Sequence, residues 1–449
     1  MIRWTICKLL RFALRVYFRR IEVTGLDNVP RDSPVIFVVN HPNALVDPVF
    51  LLCLAPRRVS FLAKAPLFRM PIIGYLVRAL DSLPVYRRQD EGEDVSRNLE
   101  TFVAARKLLG NGGTIAICPE GVSHDEPRLK PLKSGAARIA LGAVSSGEAM
   151  NLYIVPTGLY YTDKTMFRSS ALLYFSKPLA VEPVELETVG TPPRAAVREL
   201  SHRIEQALRD VILDAEHKEA LALIERAERI FSADETNDSE AAQSLTRELD
   251  LRRRFLHGYA FHRTHSPRRI AALVARVARF ESELQQAGID PSDLSLRGSA
   301  TQTIVSLVAR VLSFALLAPF ALLGAFVHYP AYRLGGYLAR RLSREAEDVV
   351  STFKIVSAML FFPLTWIIVA SFLWRIANWH AAVASLLVIP ACGYVAIRLF
   401  EELDSFVGSV LALTLFVIRR RSFLRLLAER ALIRREILAL GDEAALRGS

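Results

Sequence analysis

The stretch VIFVVNHPNALVDPVF, residues 35–50, carries an apolar run that ends on Asn40 and His41, and Asp47 follows between Pro42 and Pro48. An imidazole paired with a carboxylate can act as a general base whose tautomer and developing charge the carboxylate controls. Read locally, VIFVVN is extended and DPVFLLCLA is a helix with Asp47 at its N-cap and Pro48 at N1, which is a complete structural role for Asp47. His41 has no such role. It is a titratable group at the C-terminal edge of a strand, where α/β sheets place their ligands. Residues six apart on one ideal helix point away from each other, so the intervening loop must fold back to join imidazole and carboxylate. No serine completes a triad, which leaves a substrate hydroxyl as the nucleophile.

Two further strand ends carry chemistry. In CPEGVSHDEPRLKPLKSGAARIAL (118–141) Glu120 ends a strand, the chain turns at Gly121, and Lys130, Lys133 and Arg138 bring positive charge. In LDSLPVYRRQD, Arg87 follows a third strand, where a guanidinium can hold a phosphate bidentately. Alone, Arg87 or Lys133 reads as a surface charge. Together with His41 and Asp47 they predict a phosphate-bearing substrate beside a base. Ser123, His124 and Asp125 form a nucleophile-rich trio and support a rival reading as a lipid hydrolase. Adjacent residues rarely converge as a triad, however, and no Gly-x-Ser-x-Gly elbow is present. His41, Asp47 and Glu120 lack a tight metal-ligand spacing such as His-Glu-x-x-His, so no metal site is expected. A non-catalytic lipid-binding protein is a third reading, against which the retention of both His41 and Asp47 argues.

These motifs resemble those of the glycerophospholipid acyltransferases (PlsC-like), whose first block is Asn-His, four residues, then Asp, and whose third is Phe-Pro-Glu-Gly. Here five residues separate His41 from Asp47, Cys118 stands for the phenylalanine, and the second block, DSLPVYR, keeps only Arg87. LYIVPTGLYY corresponds to the fourth block. FRSSALLYFSKPL, RFLHGYAF and the apolar C-terminal region are similar to the glycerol-3-phosphate/dihydroxyacetone-phosphate acyltransferase subgroup. The resemblance implies acyl transfer from acyl-CoA or acyl-carrier protein, without a cofactor, to the hydroxyl of a glycerol phosphate or lysophospholipid, in phosphatidic acid synthesis. It further implies His41 as base and Asp47 as its orienting group. Arg87, Glu120 and Gly121 would bind or position the acceptor phosphate, with Ser123 and Lys133 assisting.

The elements that must position these residues alternate. IEVTG, VIFVVN, VSFLA, LPVY, TIAICP, LYIVPTGLYY and ALLYFSKP read as strands, with helical patterns between them. The fold class expected over 21–190 is α/β, a mixed sheet flanked by helices, forming the acyltransferase domain. Residues 1–20, with Lys8, Arg11, Arg15 and Arg19 recurring every three or four positions, read as an amphipathic helix on an anionic interface. Residues 191–300 read as a helical extension and 301–449 as a membrane-associated helical region. Within the latter, 311–327, interrupted by Pro319, reads as re-entrant or shallow, 355–397 as a hairpin, and 405–418 as too short to span. The arginines of YRLGGYLARRLSR drive that choice, because a full crossing at 311–327 would translocate them.

Composition agrees with a membrane protein. The 449 residues are 51% hydrophobic with mean hydropathy +0.25 and a net charge of +11. The basic residues are spread among apolar segments, which fits membrane lipids as partners and not nucleic acid. Localisation at a cytoplasmic or equivalent membrane, catalytic domain on the cytoplasmic side, is the expectation. The cysteines (Cys7, Cys53, Cys118, Cys392) show no paired spacing and read as buried small hydrophobes in a reducing compartment.

Overall fold

The fold is taken from a computed structural model that describes residues 2–90, 92–124, 126, 128–187, 190–213, 223, 226, 244–287, 300–343, 347–418 and 420–448. The chain divides into two compact units. The first is Met1–Asp214 with Ala339–Val356, and the second is Ala215–Leu338 with Ser357–Ser449.

The first unit is built on β1 (Arg20–Thr24), β2 (Val35–Val39), β3 (Ser60–Lys64), β4 (Leu83–Val85), β5 (Thr114–Ile117), β6 (Tyr153–Tyr161), β7 (Ser170–Phe175) and β8 (Leu179–Ala180). These lie in one sheet of order β1-β7-β6-β2-β5-β3-β4, with β8 paired to β6. The neighbours β6, β2, β5, β3 and β4 are all parallel, whereas β7 and β8 run antiparallel to β6. The expected mixed α/β sheet is therefore present; the short β8 was not foreseen. VIFVV of β2 is buried at every position, as a run without polar alternation demands of a strand covered on both faces. Its side chains alternate between two cores. Ile36 and Val38 join Leu109, Ala140 and Leu152 on one face, while Val35, Phe37 and Val39 join Phe18, Phe50 and Leu51 on the other.

Helices α2 (Val46–Leu54), α3 (Pro71–Ala79), α4 (Asn98–Gly110) and α5 (Gly135–Ser145) connect the parallel strands. Helix α6 (Arg194–Arg209), from the stretch read as an extension, turns Val197, Leu200, Ile204 and Leu208 into the sheet's own core. Those positions follow the helical period, so one stripe is buried and the rest is polar. Helix α1 (Ile2–Tyr17) buries Leu14 and Tyr17 against the domain and leaves Ile2, Trp4, Leu9 and Phe12 exposed. Its cations do not form one free face: Arg11 donates to the Cys53 carbonyl, and Lys8 lies over the Trp4 ring.

In the second unit α7 (Leu245–His265), α8 (Pro267–Ala287) and α12 (Arg420–Gly448) share a core that includes Phe255, Leu273, Phe280, Phe423 and Ile433. Residues on both sides of the boundary expected at 300 thus pack together. Ion pairs of Arg276 with Glu429 and Glu436, and of Arg269 with Glu443, border that core.

Between α8 and α12 come α9 (Ala300–Ser343), α10 (Glu347–Ile376) and α11 (Trp379–Ile418). Three stretches within them are long and apolar enough to cross a membrane: Leu307–Ser343, Asp348–Ile376 and Trp379–Leu403. The expected interruption at Pro319 is absent, since α9 runs on through both Pro319 and Pro330. Long apolar helices tolerate proline better than water-soluble ones do. Residues 405–418 are likewise the continuation of α11 and not a separate element. Only Ala377 and Asn378 separate α10 from α11. His328 of α9 is fully engaged, its Nδ1 on the Gly324 carbonyl and its Nε2 accepting from Trp366 Nε1, each at 2.8 Å. Gly324 abuts the Cys392 carbonyl with no room for a Cβ, the small-residue contact that lets such helices approach closely.

Candidate active site

Parallel strands bring their C-terminal ends to one edge, and the chemistry-bearing residues gather there. Along that edge stand Tyr161 at the end of β6, His41 after β2, Cys118 and Glu120 after β5, Lys64 at the end of β3 and Arg87 after β4. Asn40 terminates β2 by acting as a peptide mimic. Its amide donates to the Leu159 carbonyl at 2.9 Å, and its carbonyl accepts from Leu159 N at 2.7 Å.

The loop after Asn40 does fold back. His41 Nδ1 lies 2.9 Å from Asp47 Oδ2, and the Asp47 side chain is fully buried while 19% of the His41 side chain is exposed. The five-residue spacer is accommodated by a backbone excursion at Ala44, whose φ is +27°, outside the conformations an L-residue prefers. Asp47 is not an N-cap. Helix α2 begins one residue earlier with Leu45 at its cap, and no side chain caps it. The carboxylate is turned inward because three donors claim it: His41 Nδ1, Asn43 N at 2.7 Å from Oδ2, and Tyr161 OH at 2.7 Å from Oδ1. Three donors on two oxygens suit a carboxylate, which only accepts, so the imidazole carries its proton on Nδ1 and keeps Nε2 as the basic nitrogen.

Glu120 holds the histidine from the other side. Its carboxylate accepts His41 N at 3.1 Å, Lys130 N at 2.9 Å and the His124 ring, and the residue is buried. With these partners it ties the His41 backbone to the loop after β5. His124 N donates to the His41 carbonyl at 3.3 Å, so both backbone groups of the base are tied. Ser123 donates its hydroxyl to Asp348, a residue of α10 that belongs to the same compact unit. Ser123 and His124 therefore serve different partners and form no nucleophile–base pair; Asp125 lies outside the described residues.

Arg87, Gly121 and Lys133 do come together. Arg87 Nη1 donates to the Gly121 carbonyl at 2.6 Å. Gly121 has φ +74°, which favours glycine for the turn, and a Cβ there would stand 2.7 Å from Lys133 Nζ and push the flexible lysine aside. The remaining Arg87 donors go to Asp90, from Nε at 2.8 Å and from Nη2 at 2.6 Å.

Electrostatics favour a charged His41. Burial opposes the charge most strongly, but Cys118 and then the bonded Asp47 carboxylate act against it, and the net is an imidazole held well above its ordinary 6.5. Burial pushes the Cys118 thiol up, and the His41 imidazole with which it makes a hydrogen bond draws it back. Tyr161 is raised well above 10 by burial and by the adjacent Asp47 charge, so it remains a donor to that carboxylate. Cys118 and Tyr161 were not singled out by spacing. The only cue to Tyr161 was its place at the end of an apolar strand.

The site thus joins a histidine on a buried carboxylate after β2 to a cationic corner whose Arg87 follows β4, three strands away. Residues 20–160 match the acyltransferase family, and residues 224–445 match the glycerol-3-phosphate acyltransferase 2 C-terminal domain. Among curated proteins the chain is 27% identical to an uncharacterised acyltransferase of Schizosaccharomyces pombe, over 80% of this chain and 66% of that one. It is 28% identical to glycerol-3-phosphate O-acyltransferase 2 of Saccharomyces cerevisiae, over 60% of this chain and 37% of that one. It is 26% identical to glycerol-3-phosphate O-acyltransferase 1 of the same yeast, over 78% of this chain and 58% of that one. The chain thus spans 37 to 66% of the length of these relatives. It carries an acyltransferase domain followed by a segment that matches a glycerol-3-phosphate acyltransferase C-terminal domain.

Proposed function

We propose that the protein transfers a fatty acyl group from acyl-CoA or acyl-carrier protein to a free hydroxyl of a glycerol phosphate or lysophospholipid at a membrane. The observation that carries this reading is the 2.9 Å contact between His41 Nδ1 and the buried Asp47. In the reaction His41 Nε2 accepts the acceptor's hydroxyl proton as the oxygen attacks the thioester carbonyl. The tetrahedral intermediate then collapses, the carbon–sulfur bond breaks, and the proton passes from the imidazolium to the departing thiolate. Asp47 stabilises the imidazolium formed in between, and Arg87 with Lys133 holds the phosphate end of the acceptor. No residue of the protein needs to be acylated. Support for the acceptor class comes from relatives named glycerol-3-phosphate O-acyltransferases. The three long apolar helices support a membrane setting, and the reading places the catalytic unit on its cytoplasmic side. The exposed Ile2, Trp4, Leu9 and Phe12 of α1, next to Lys8 and Arg15, support its placement at the lipid interface.

Purified protein given labelled long-chain acyl-CoA should consume thioester only when an acceptor is present. Glycerol 3-phosphate, dihydroxyacetone phosphate and lysophosphatidate form the informative panel, with glycerol as the phosphate-free control. Ester product from a phosphate-bearing acceptor is the expected outcome. Thioester loss without acceptor would instead mean a hydrolase, and no turnover with any donor would mean a binding protein.

A further inference from the structure

Arg87 is the guanidinium best placed for an acceptor phosphate, yet its fork is already occupied. The chain turns directly after it, Asp90 N donating to the Arg87 carbonyl at 3.1 Å, and the turn delivers the Asp90 carboxylate to its own arginine. Both carboxylate oxygens are used, one 2.8 Å from Nε and the other 2.6 Å from Nη2. That is the geometry in which an arginine grips two oxygens of a phosphate.

The surroundings hold more positive charge than one carboxylate needs. β3 and β4 pair so that Lys64 stands opposite Val85, two residues before Arg87. Lys133 reaches the same place over Gly121, whose carbonyl Arg87 also holds. Arg87, through its hydrogen bonds, holds the Asp90 carboxyl below the usual range, and Lys64 and Lys133 add to the pull. One cation is thus bonded to the carboxylate and two more lie within electrostatic reach of it, both lysines exposed to solvent. An ion pair that served only to orient Arg87 would need no further cations.

We infer that Asp90 is a tethered anion that occupies the acceptor-phosphate pocket, and that a phosphomonoester must displace its carboxylate from Arg87, beside Lys64 and Lys133, to bind. This inference rests on the acceptor reading given above. It assigns Lys64 to the phosphate pocket beside Arg87 and Lys133, and it makes Asp90 a specificity element. A hydroxyl compound without phosphate cannot compete with the carboxylate for the guanidinium. A dianionic phosphate can, because it brings more charge and a third oxygen to the same cations. In the empty enzyme the carboxylate keeps the pocket neutralised against other small anions.

The test compares the full-length Asp90→Asn and Asp90→Glu variants with wild type in detergent micelles at low ionic strength. Asparagine keeps the size and removes the charge. It should lower the acceptor KM about 3- to 10-fold, the range a partly exposed bidentate ion pair supports. The thioester KM and kcat should stay near wild type. Inorganic phosphate, competing with the acceptor, should gain inhibitory strength by the same factor, and both effects should shrink in high salt. Asp90→Glu, which restores the charge, should return the acceptor KM toward wild type. A raised acceptor KM in Asp90→Asn would overturn the inference and make Asp90 an orienting partner of Arg87. An unchanged acceptor KM would overturn it too. Failure of inorganic phosphate to compete with the acceptor in both wild type and Asp90→Asn would overturn the acceptor reading itself, a separate outcome.

Discussion

His41→Ala should lower turnover by about 10²- to 10⁴-fold, the range a positioned general base supplies. The loss should fall on the chemical step and not on folding. The backbone of residue 41 is held by Glu120 and His124 whatever the side chain, and Asp47 keeps Asn43 N and Tyr161 OH as partners. A buried carboxylate with two donors left is costlier than one with three, but it is not abandoned. Ester formation from labelled acyl-CoA and a phosphate-bearing acceptor, measured with the melting temperature of the same preparation, separates the two effects. Near wild-type turnover in a folded His41→Ala protein would remove His41 from the mechanism.

Arg87→Ala should raise the acceptor KM by about 10- to 100-fold, in keeping with the 1.5–3 kcal/mol of a charged hydrogen-bonded contact. The thioester KM should change little, because the guanidinium lies beyond β5 from the base, among the cations of β3 and β4. The variant also leaves Asp90 facing Lys64 and Lys133 with no arginine to neutralise, so the pocket loses charge and shape together. Steady-state kinetics with each substrate varied in turn reads the split directly. Equal increases in both KM values would argue against a phosphate role for Arg87.

Much of this arrangement was legible in residue types. Runs such as VIFVV and TIAI have no polar alternation, and they are the buried parallel strands whose ends make the site. His41 stood out because a strand end gave it no structural reason to be there. The misreadings share one cause, which is that local rules cannot see distant partners. Asp47 looked like a helix cap until Tyr161, 114 residues further on, and His41 were found on its two oxygens. The carboxylate of Glu120 is held by the backbone of His41 and Lys130, partners that its own stretch of sequence does not reveal. Ser123 is claimed by Asp348, 225 residues away. Pro319 looked like an interruption because proline ends helices in water, a rule that weakens in long apolar helices. The Arg87–Asp90 pair, by contrast, spans three residues and was visible as RRQD. Its meaning depended on Lys64 and Lys133, which only the sheet order and the Gly121 turn bring near.

The raised affinity of His41 for its proton gives the account its sharpest signature. A base must be unprotonated to act, so kcat/KM for the acceptor should climb with pH through the elevated His41 value and fall away below it. The same shift stabilises the folded protein in acid. That contribution is fully present below the unfolded value of 6.5 and is lost as pH rises through the folded one. Removing the charge of Asp47 takes away a group that holds the proton on His41, so its titration should move to lower pH. The decisive measurement is therefore the pH dependence of kcat/KM for the acceptor in wild type and in Asp47→Asn, with unfolding followed in parallel. An acid limb above 6.5 in wild type that shifts downward in Asp47→Asn is the predicted result. A limb at the same pH in both proteins would contradict the claim that His41, set by Asp47, is the base.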